Sequence, residues 1–178
     1  LKKWNLALKE YENALKAEPQ NPTYLNNKAN ILRDVGLFDK AAETYKLALK
    51  FNAKNIRYWC NLAKVSNESQ NFQQAEAAAN EALKINCENV EALNNLGLAL
   101  ENQKQTQKAI AIYKNALLID PNYAEANYNL GLTFDELNEI NSAILHYEKA
   151  LLIKPEYPDA LNNLGNLYKN NNHINLNI

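Results

Sequence analysis

Five asparagines recur at one constant interval along the chain, and they are the residues whose chemistry could define a binding surface. They are Asn27, Asn61, Asn95, Asn129 and Asn163. An asparagine amide has N–H donors and a carbonyl acceptor, so one side chain can bind both the N–H and the C=O of an extended backbone. We predict that this row, the asparagine ladder, binds the main chain of another polypeptide.

A second explanation of the ladder is composition, because asparagine accounts for 31 of the 178 residues. Under that alternative, asparagine at this position serves the packing or the solvation of the helices. If successive ladder helices lie roughly 10 Å apart, and an extended peptide rises about 3.3 Å per residue, the ladder holds roughly a dozen ligand residues. Both explanations stay open at this stage.

Further side chains are predicted to line the same surface. The predicted peptide-binding residues beside the ladder are Asn30, Arg33, Arg57, Lys64, Asn94, Leu98, Tyr128 and Leu132. The first half is basic, with Arg33, Arg57 and Lys64, and the middle is acidic, and such a charge gradient orients a charged ligand. The acidic residues of the middle are Glu91, Glu101, Glu125, Asp135 and Glu136. We predict an apolar pocket for a ligand side chain at Leu98, Leu132 and Tyr128. The alternatives are solvated helix faces and packing between repeats.

The elements that position these residues repeat with the same period. Residues 90–121 align position by position with residues 124–155, and residue 158 begins a further copy. A period of about 34 residues is typical of a stacked solenoid. We therefore predict an all-α fold, an α-solenoid of stacked antiparallel helix pairs, in which each repeat contacts its neighbours.

Apolar spacing and turn residues divide the chain into one array. The predicted units are a half repeat (1–21, second helix 1–17), repeat 1 (22–55, helices 22–35 and 38–51), repeat 2 (56–89, helices 56–69 and 72–85), repeat 3 (90–123, helices 90–103 and 106–119), repeat 4 (124–157, helices 124–137 and 140–153) and a half repeat (158–178, first helix 158–170, then a tail). Neither end resembles a polar capping helix, so we expect a piece of a longer protein.

Columns of small residues at the same period predict close helix contacts. Three such columns are Ala29, Ala63, Gly97, Gly131 and Gly165; Ala7, Ala41, Ala75, Ala109 and Ala143; and Ala14, Ala48, Ala82, Ala116 and Ala150. A tyrosine column, Tyr11, Tyr45, Tyr113 and Tyr147, is broken by Ala79. We predict that these columns form the packed layers between helices.

Composition excludes several functions. The net charge of −1 does not favour binding to nucleic acid or to an anionic membrane. The two cysteines lack metal-ligand spacing, and the two histidines lack a nucleophile–base partner, so we expect no metal site, no cofactor and no enzymatic activity. We expect an intracellular, cytoplasmic protein with reduced thiols.

The small and large columns and the closing prolines Pro121 and Pro155 resemble tetratricopeptide repeats. The resemblance implies a right-handed superhelix whose first helices line a concave face, and a protein-interaction scaffold that binds an extended polypeptide there. Departures from the pattern are Ala53 and Cys87 in place of proline, Lys28 in place of an apolar residue, and Thr106 in place of an aromatic one.

The ladder is similar to that of the repeat domain of O-linked N-acetylglucosamine transferases, where it binds substrate polypeptide. This implies one alternative, the substrate-recognition region of a larger enzyme. Another is self-assembly end to end, through apolar faces at Trp4 and at Leu161, Leu164 and Tyr168. The carboxylate clamp of chaperone-binding relatives is incomplete here, because the third first helix supplies no Lys or Arg.

Overall fold

The computed structural model describes residues 2–175, and over that range the chain forms ten helices in series. They are α1 (Lys2–Ala17), α2 (Pro22–Asp34), α3 (Phe38–Phe51), α4 (Ile56–Glu68), α5 (Phe72–Ile85), α6 (Val90–Asn102), α7 (Thr106–Ile119), α8 (Ala124–Glu136), α9 (Ile140–Ile153) and α10 (Pro158–Asn175). We call α2, α4, α6, α8 and α10 the first helices, and the others the second helices.

The helices pack as a one-dimensional stack. Each first helix packs against the second helix that follows it, as α6 does against α7, and each second helix packs against the next first helix, as α5 does against α6. First helices also meet directly, α4 with α6 and α6 with α8. The predicted all-α helical repeat fold is therefore confirmed.

The columns of small residues lie where these helices meet. Ten alanines of these columns are 0% exposed, namely Ala29, Ala63, Ala41, Ala75, Ala109, Ala143, Ala48, Ala82, Ala116 and Ala150. A Cβ added to Gly97 would lie 2.7 Å from Cδ1 of Tyr113, and one added to Gly131 would lie 2.7 Å from Cδ1 of Tyr147. Glycine at these two positions therefore makes room for a buried tyrosine ring of the same repeat.

One left-handed residue closes the turn between the two helices of each repeat. Gly36, Gln70, Lys104 and Asn138 occupy the same position in successive repeats and have φ of 80°, 60°, 63° and 59°. The residue after each donates its N–H back into the first helix, as Leu37 does to the carbonyl of Leu32 at 2.8 Å. This is the Schellman ending of a helix, for which glycine is the usual residue.

The turns between repeats keep one geometry whether or not they contain proline. Tyr123 N donates to Asp120 O at 3.2 Å across Pro121, and Asn89 N donates to Asn86 O at 3.2 Å across Cys87. Asn21, Asn55 and Asn89 cap the helices that follow, since each side-chain oxygen accepts from a backbone N–H of the first turn. The substitutions for proline at Ala53 and Cys87 therefore leave the turns intact.

The structure corrects the predicted end of the last helix. The sequence pattern predicts that α10 stops at residue 170 and that a tail follows, but the helix continues to Asn175. Residues 171–175 contain neither proline nor glycine, so nothing in that segment interrupts the backbone hydrogen bonds. Residues 176–178 of the predicted tail lie outside the described residues.

None of the helices described has the length and apolar character that crossing a membrane requires.

Candidate functional site

The asparagine ladder lies on the first helices and joins them to one another. Its five members occupy equivalent positions on α2, α4, α6, α8 and α10. We call the surface formed by these five helices the first-helix face. Asn27, Asn61 and Asn163 are partly exposed, whereas Asn95 and Asn129 are only 5% and 9% exposed.

The amide nitrogens of the ladder donate to the preceding first helix. Asn61 Nδ2 donates to Asn26 Oδ1 at 2.9 Å, and Asn129 Nδ2 donates to Asn94 Oδ1 at 2.9 Å. Asn95 Nδ2 donates to the carbonyl of Cys60 at 3.3 Å, and Asn163 Nδ2 donates to the hydroxyl of Tyr128 at 3.4 Å. In each pair the acceptor belongs to the preceding repeat, so these bonds tie repeat to repeat, and the packing alternative explains part of the ladder.

The side-chain oxygens of Asn61, Asn95 and Asn129 are differently placed. Within residues 4–170 none of them receives a hydrogen bond, and in that range Asn67 Oδ1 alone is buried without a partner. These three ladder oxygens therefore reach the surface as free acceptors. The amide nitrogens of these three residues thus bond within the fold, whereas their oxygens make no hydrogen bond within residues 4–170.

A cavity of about 720 Å³ opens on the first-helix face between α4, α6 and the start of α8. Its walls carry amides, carboxylates, one ammonium group and apolar side chains. They comprise Lys64, Asn67, Glu68, Gln70, Phe72, Glu91, Asn94, Asn95, Leu98, Asn102, Tyr123 and Glu125. Ladder residue Asn95 and predicted neighbours Lys64, Asn94 and Leu98 thus meet at one site.

Three carboxylates line this cavity, and two of them have a cationic partner. Glu68 lies 3.9 Å from the guanidinium of Arg33, and Glu125 lies 3.7 Å from Lys154 Nζ, whereas Glu91 has no ion-pair partner among the described residues. Burial raises the pKa of Glu68 above its ordinary value, although Arg33 and Lys64 oppose that shift. Glu91 is therefore the carboxylate of the lining whose charge no ion pair balances among the described residues.

Other predicted binding residues lie apart from the cavity. Asn30 accepts from the hydroxyl of Tyr45 at 2.6 Å, and Arg33 pairs with Asp34 at 2.9 Å, so both side chains are engaged within the fold. Arg57 is exposed in the first turn of α4. Leu132 and Tyr128 are partly buried against the main apolar core and do not line this cavity, and the apolar pocket predicted from them and Leu98 stays a prediction.

Six residues of the cavity are not among those predicted from the sequence, namely Asn67, Glu68, Gln70, Phe72, Asn102 and Tyr123. A sequence signal for Asn67 exists, namely the alanine at position 79, where the tyrosine column is broken. Without a tyrosine ring there, no tyrosine hydroxyl can donate a hydrogen bond to a neighbouring polar group. Glu68 and Tyr123 carried no comparable pattern, because a charge at a helix end and a tyrosine before a helix are common surface features.

A second polar cluster, centred on Glu101, ties repeat 3 to repeat 4. The hydroxyl of Tyr113 donates to Glu101 Oε2 at 3.0 Å, and the hydroxyl of Thr133 donates to Oε1. Burial raises the pKa of Glu101, while the two hydrogen bonds act in the opposite direction. Each oxygen has a partner, so the cluster is structural.

Groups with catalytic potential are isolated in the described part of the chain. His146 stacks on Phe134, and burial lowers its pKa to about 4, so the ring is neutral near pH 7. Burial raises the pKa of the Cys60 thiol to about 12, which keeps it protonated. Within residues 4–170 no three His, Cys, Asp or Glu side chains come together as a metal site.

The apolar faces predicted at the two ends are partly exposed. Trp4 is 41% exposed on α1, and Leu161 and Tyr168 are 51% and 44% exposed on α10. The end-to-end association inferred from them stays a prediction.

A series of helix pairs with small-residue contacts and a repeated left-handed turn defines the class of helical-repeat scaffolds. Four family models agree on which repeat this is. Tetratricopeptide repeat models match residues 1–56, 56–88 and 90–123, and a TPR repeat model matches residues 133–172. The chain belongs to the tetratricopeptide-repeat family. No curated protein matches the sequence.

Solved structures share the fold along most of the chain. TTC0263, a thermophilic TPR protein of Thermus thermophilus, is 22% identical with a TM-score of 0.78, covering 94% of this chain and 92% of that one. MamA is 24% identical with a TM-score of 0.73, covering 86% and 90%. YrrB, described as a TPR protein with an unusual peptide-binding site, is 23% identical with a TM-score of 0.68, covering 90% and 83%. At these identities the likeness concerns the fold.

Proposed function

We propose that this chain is a non-catalytic protein-interaction scaffold that binds an extended polypeptide along the first-helix face. The ladder oxygens of Asn61, Asn95 and Asn129 accept hydrogen bonds from backbone N–H groups of the ligand. The side chains around them select the ligand's side chains.

One observation carries the proposal, namely the free acceptors of the ladder. Each amide is held by the bond that its nitrogen donates to the preceding helix, so its oxygen is oriented before any ligand arrives. Preorganised groups lose little entropy on binding, which favours affinity. Their repetition with the repeat suits a ligand that is itself periodic, such as an extended backbone.

The family supports a role in protein recognition. YrrB, which has the same fold, is described as having a peptide-binding site. In our chain the cavity of about 720 Å³ adjoins the ladder at Asn95, so a main-chain site and a side-chain site are contiguous.

The test measures peptide binding before and after ladder oxygens are removed. An array of twelve-residue peptides identifies binders, and fluorescence anisotropy gives their Kd values for wild type, Asn61→Ala and Asn129→Ala. Loss of one backbone hydrogen bond should weaken binding about two- to tenfold. Asn80→Ala and Asn115→Ala are the matched controls, because these asparagines are exposed on the second helices α5 and α7.

Stability must be followed together with binding, since ladder nitrogens join the repeats. Urea unfolding of each variant gives the folded fraction, and Kd values are compared where all variants are fully folded. Equal affinity of wild type and both ladder variants would refute binding through the ladder. So would a photo-crosslinkable peptide that labels only second helices.

A further inference from the structure

The cavity between α4, α6 and α8 contains a buried acceptor with no partner. Asn67 is 8% exposed; its Nδ2 donates to the carbonyl of Asn95 at 3.0 Å, while its Oδ1 receives no hydrogen bond from the described residues. A buried acceptor without a donor costs about 1–3 kcal/mol. Asn67 lines the cavity, so a donor group that enters the cavity finds a partner there.

Comparison with the next repeat explains why Asn67 lacks a partner. Glu101 occupies the equivalent position one repeat later, and it accepts from Tyr113 and Thr133. The residues that correspond to these two donors in the earlier repeat are Ala79 and Ala99. Both hydroxyls are therefore absent around Asn67, and the described part of the chain offers no substitute.

The other polar groups at this cavity extend the same chemistry. Glu91 has no ion-pair partner among residues 4–170, and the oxygen of Asn95 is a free acceptor. Lys64 is the single cation of the lining, and of its three carboxylates Glu68 pairs with Arg33 and Glu125 pairs with Lys154. The cavity thus presents the acceptors of Asn67 and Asn95 beside one carboxylate without an ion pair, that of Glu91, and a cationic group rich in donors complements this set.

We infer that the cavity is the specificity subsite for an arginine side chain of the bound polypeptide. A guanidinium has five N–H donors and no acceptor, which complements the unpartnered oxygens of Asn67 and Asn95 and the carboxylate of Glu91. It also stacks on aromatic rings, and Phe72 and Tyr123 line the same cavity. This inference rests on the proposed function, because the arginine belongs to the peptide on the first-helix face.

The test replaces arginine by citrulline, which keeps the shape and removes the charge. Peptides selected on the array are resynthesised with each arginine changed in turn, and Kd values are measured by anisotropy. One citrulline should weaken binding to wild type about tenfold or more, as expected for hydrogen bonds to charged groups. The same change should matter much less in Glu91→Gln, whose carboxylate has been neutralised.

Two further variants separate the site from general charge. Glu10→Gln removes an exposed carboxylate on α1 and should leave the citrulline effect unchanged. Asn67→Leu removes the unpartnered oxygen and should also reduce the effect; if this variant fails to fold, Glu91→Gln decides alone. A lysine in place of the arginine should bind less well than arginine, because an ammonium has fewer donors.

Each outcome has one meaning. Peptides that bind through the ladder without an arginine preference overturn the subsite and leave the proposed function standing. A citrulline effect of equal size in wild type, Glu91→Gln and Glu10→Gln likewise overturns it. If no peptide binds to the protein at all, both proposals are refuted.

Discussion

At the scale of single residues, the buried tyrosine rings determine which glycine positions have no room for a Cβ atom. Tyr113 is 0% exposed, and its hydroxyl is held by Glu101, so the ring cannot move away from Gly97. Gly165 lies in the same column but faces open space, with nothing within 4 Å of an added Cβ. One column therefore contains glycines required by packing and a glycine that packing does not require.

We expect Gly97→Ala to lower the free energy of unfolding by about 1–3 kcal/mol, as overpacked cores do. The new Cβ would lie 2.7 Å from Tyr113 Cδ1, so ring or backbone must shift. Gly165→Ala is the control, and its removal of a helical glycine should stabilise the protein by about 0.5–1 kcal/mol. Urea unfolding of both variants provides the measurement, and equal effects would contradict the ring contact.

Sequence spacing predicted which residues share a column but not what each one bonds. The ladder was found because all five asparagines have the same register. Register specifies the face of a helix, and leaves the rotamer and the partner open, so the donation of Asn61 to Asn26 could not be foreseen. Asn67 Oδ1 lacks a partner because Ala79 and Ala99 carry no hydroxyl. This becomes apparent only when they are compared with the donors to Glu101 one repeat later.

At the scale of elements, the array repeats its turn geometry more faithfully than its turn residues. The left-handed position between paired helices is glycine once, at Gly36, and is Gln70, Lys104 and Asn138 afterwards. A left-handed conformation costs a residue with a Cβ about 1–2 kcal/mol. The fold keeps that conformation because the turn closes each helix with backbone bonds, such as Gln105 N to Leu100 O at 2.9 Å.

Lys104→Gly should therefore raise the free energy of unfolding by about 0.5–1 kcal/mol, once the added flexibility of glycine in the unfolded chain is subtracted. Lys108→Gly is the matched control, because the same replacement within α7 removes a helix-forming residue. It should destabilise by about 0.5–1 kcal/mol. Opposite shifts of the thermal midpoint confirm the turn conformation; shifts in the same direction refute it.

Helix boundaries were predictable because their signals are local. The predicted ranges of α3, α5, α7 and α9 agree with the structure to the residue, and the first helices α2, α4, α6 and α8 differ by one residue at their ends. Asparagine caps and the turns between repeats give the starts. The end of α10 was predicted wrongly, since it was inferred from the register at which the next helix of the repeat would begin, and no stop signal accompanied it.

At the scale of the whole molecule, stability should vary along the stack. The central helix α6 packs against α4, α5, α7 and α8, whereas α1 packs against α2 and α10 mainly against α9. In an array, stability is approximately the sum of repeat and nearest-neighbour terms. Partial unfolding from either end is therefore less costly than unfolding of the middle.

Hydrogen exchange, followed by mass spectrometry, should accordingly be slowest for the amides of α6 and fastest for those of α1 and α10.

A local substitution tests how far unfolding spreads along the stack, and Leu130 in α8 suits this test because it is fully buried. Leu130→Ala should cost about 2–5 kcal/mol. Its effect on exchange, followed by mass spectrometry, should be largest in α7 to α9 and should fade toward α2 and α3. Uniform acceleration in all helices would mean that the array unfolds as one unit, and the nearest-neighbour description would fail. If the effect fades, the polypeptide ligand that we propose should protect several repeats together, because it contacts ladder oxygens on several first helices.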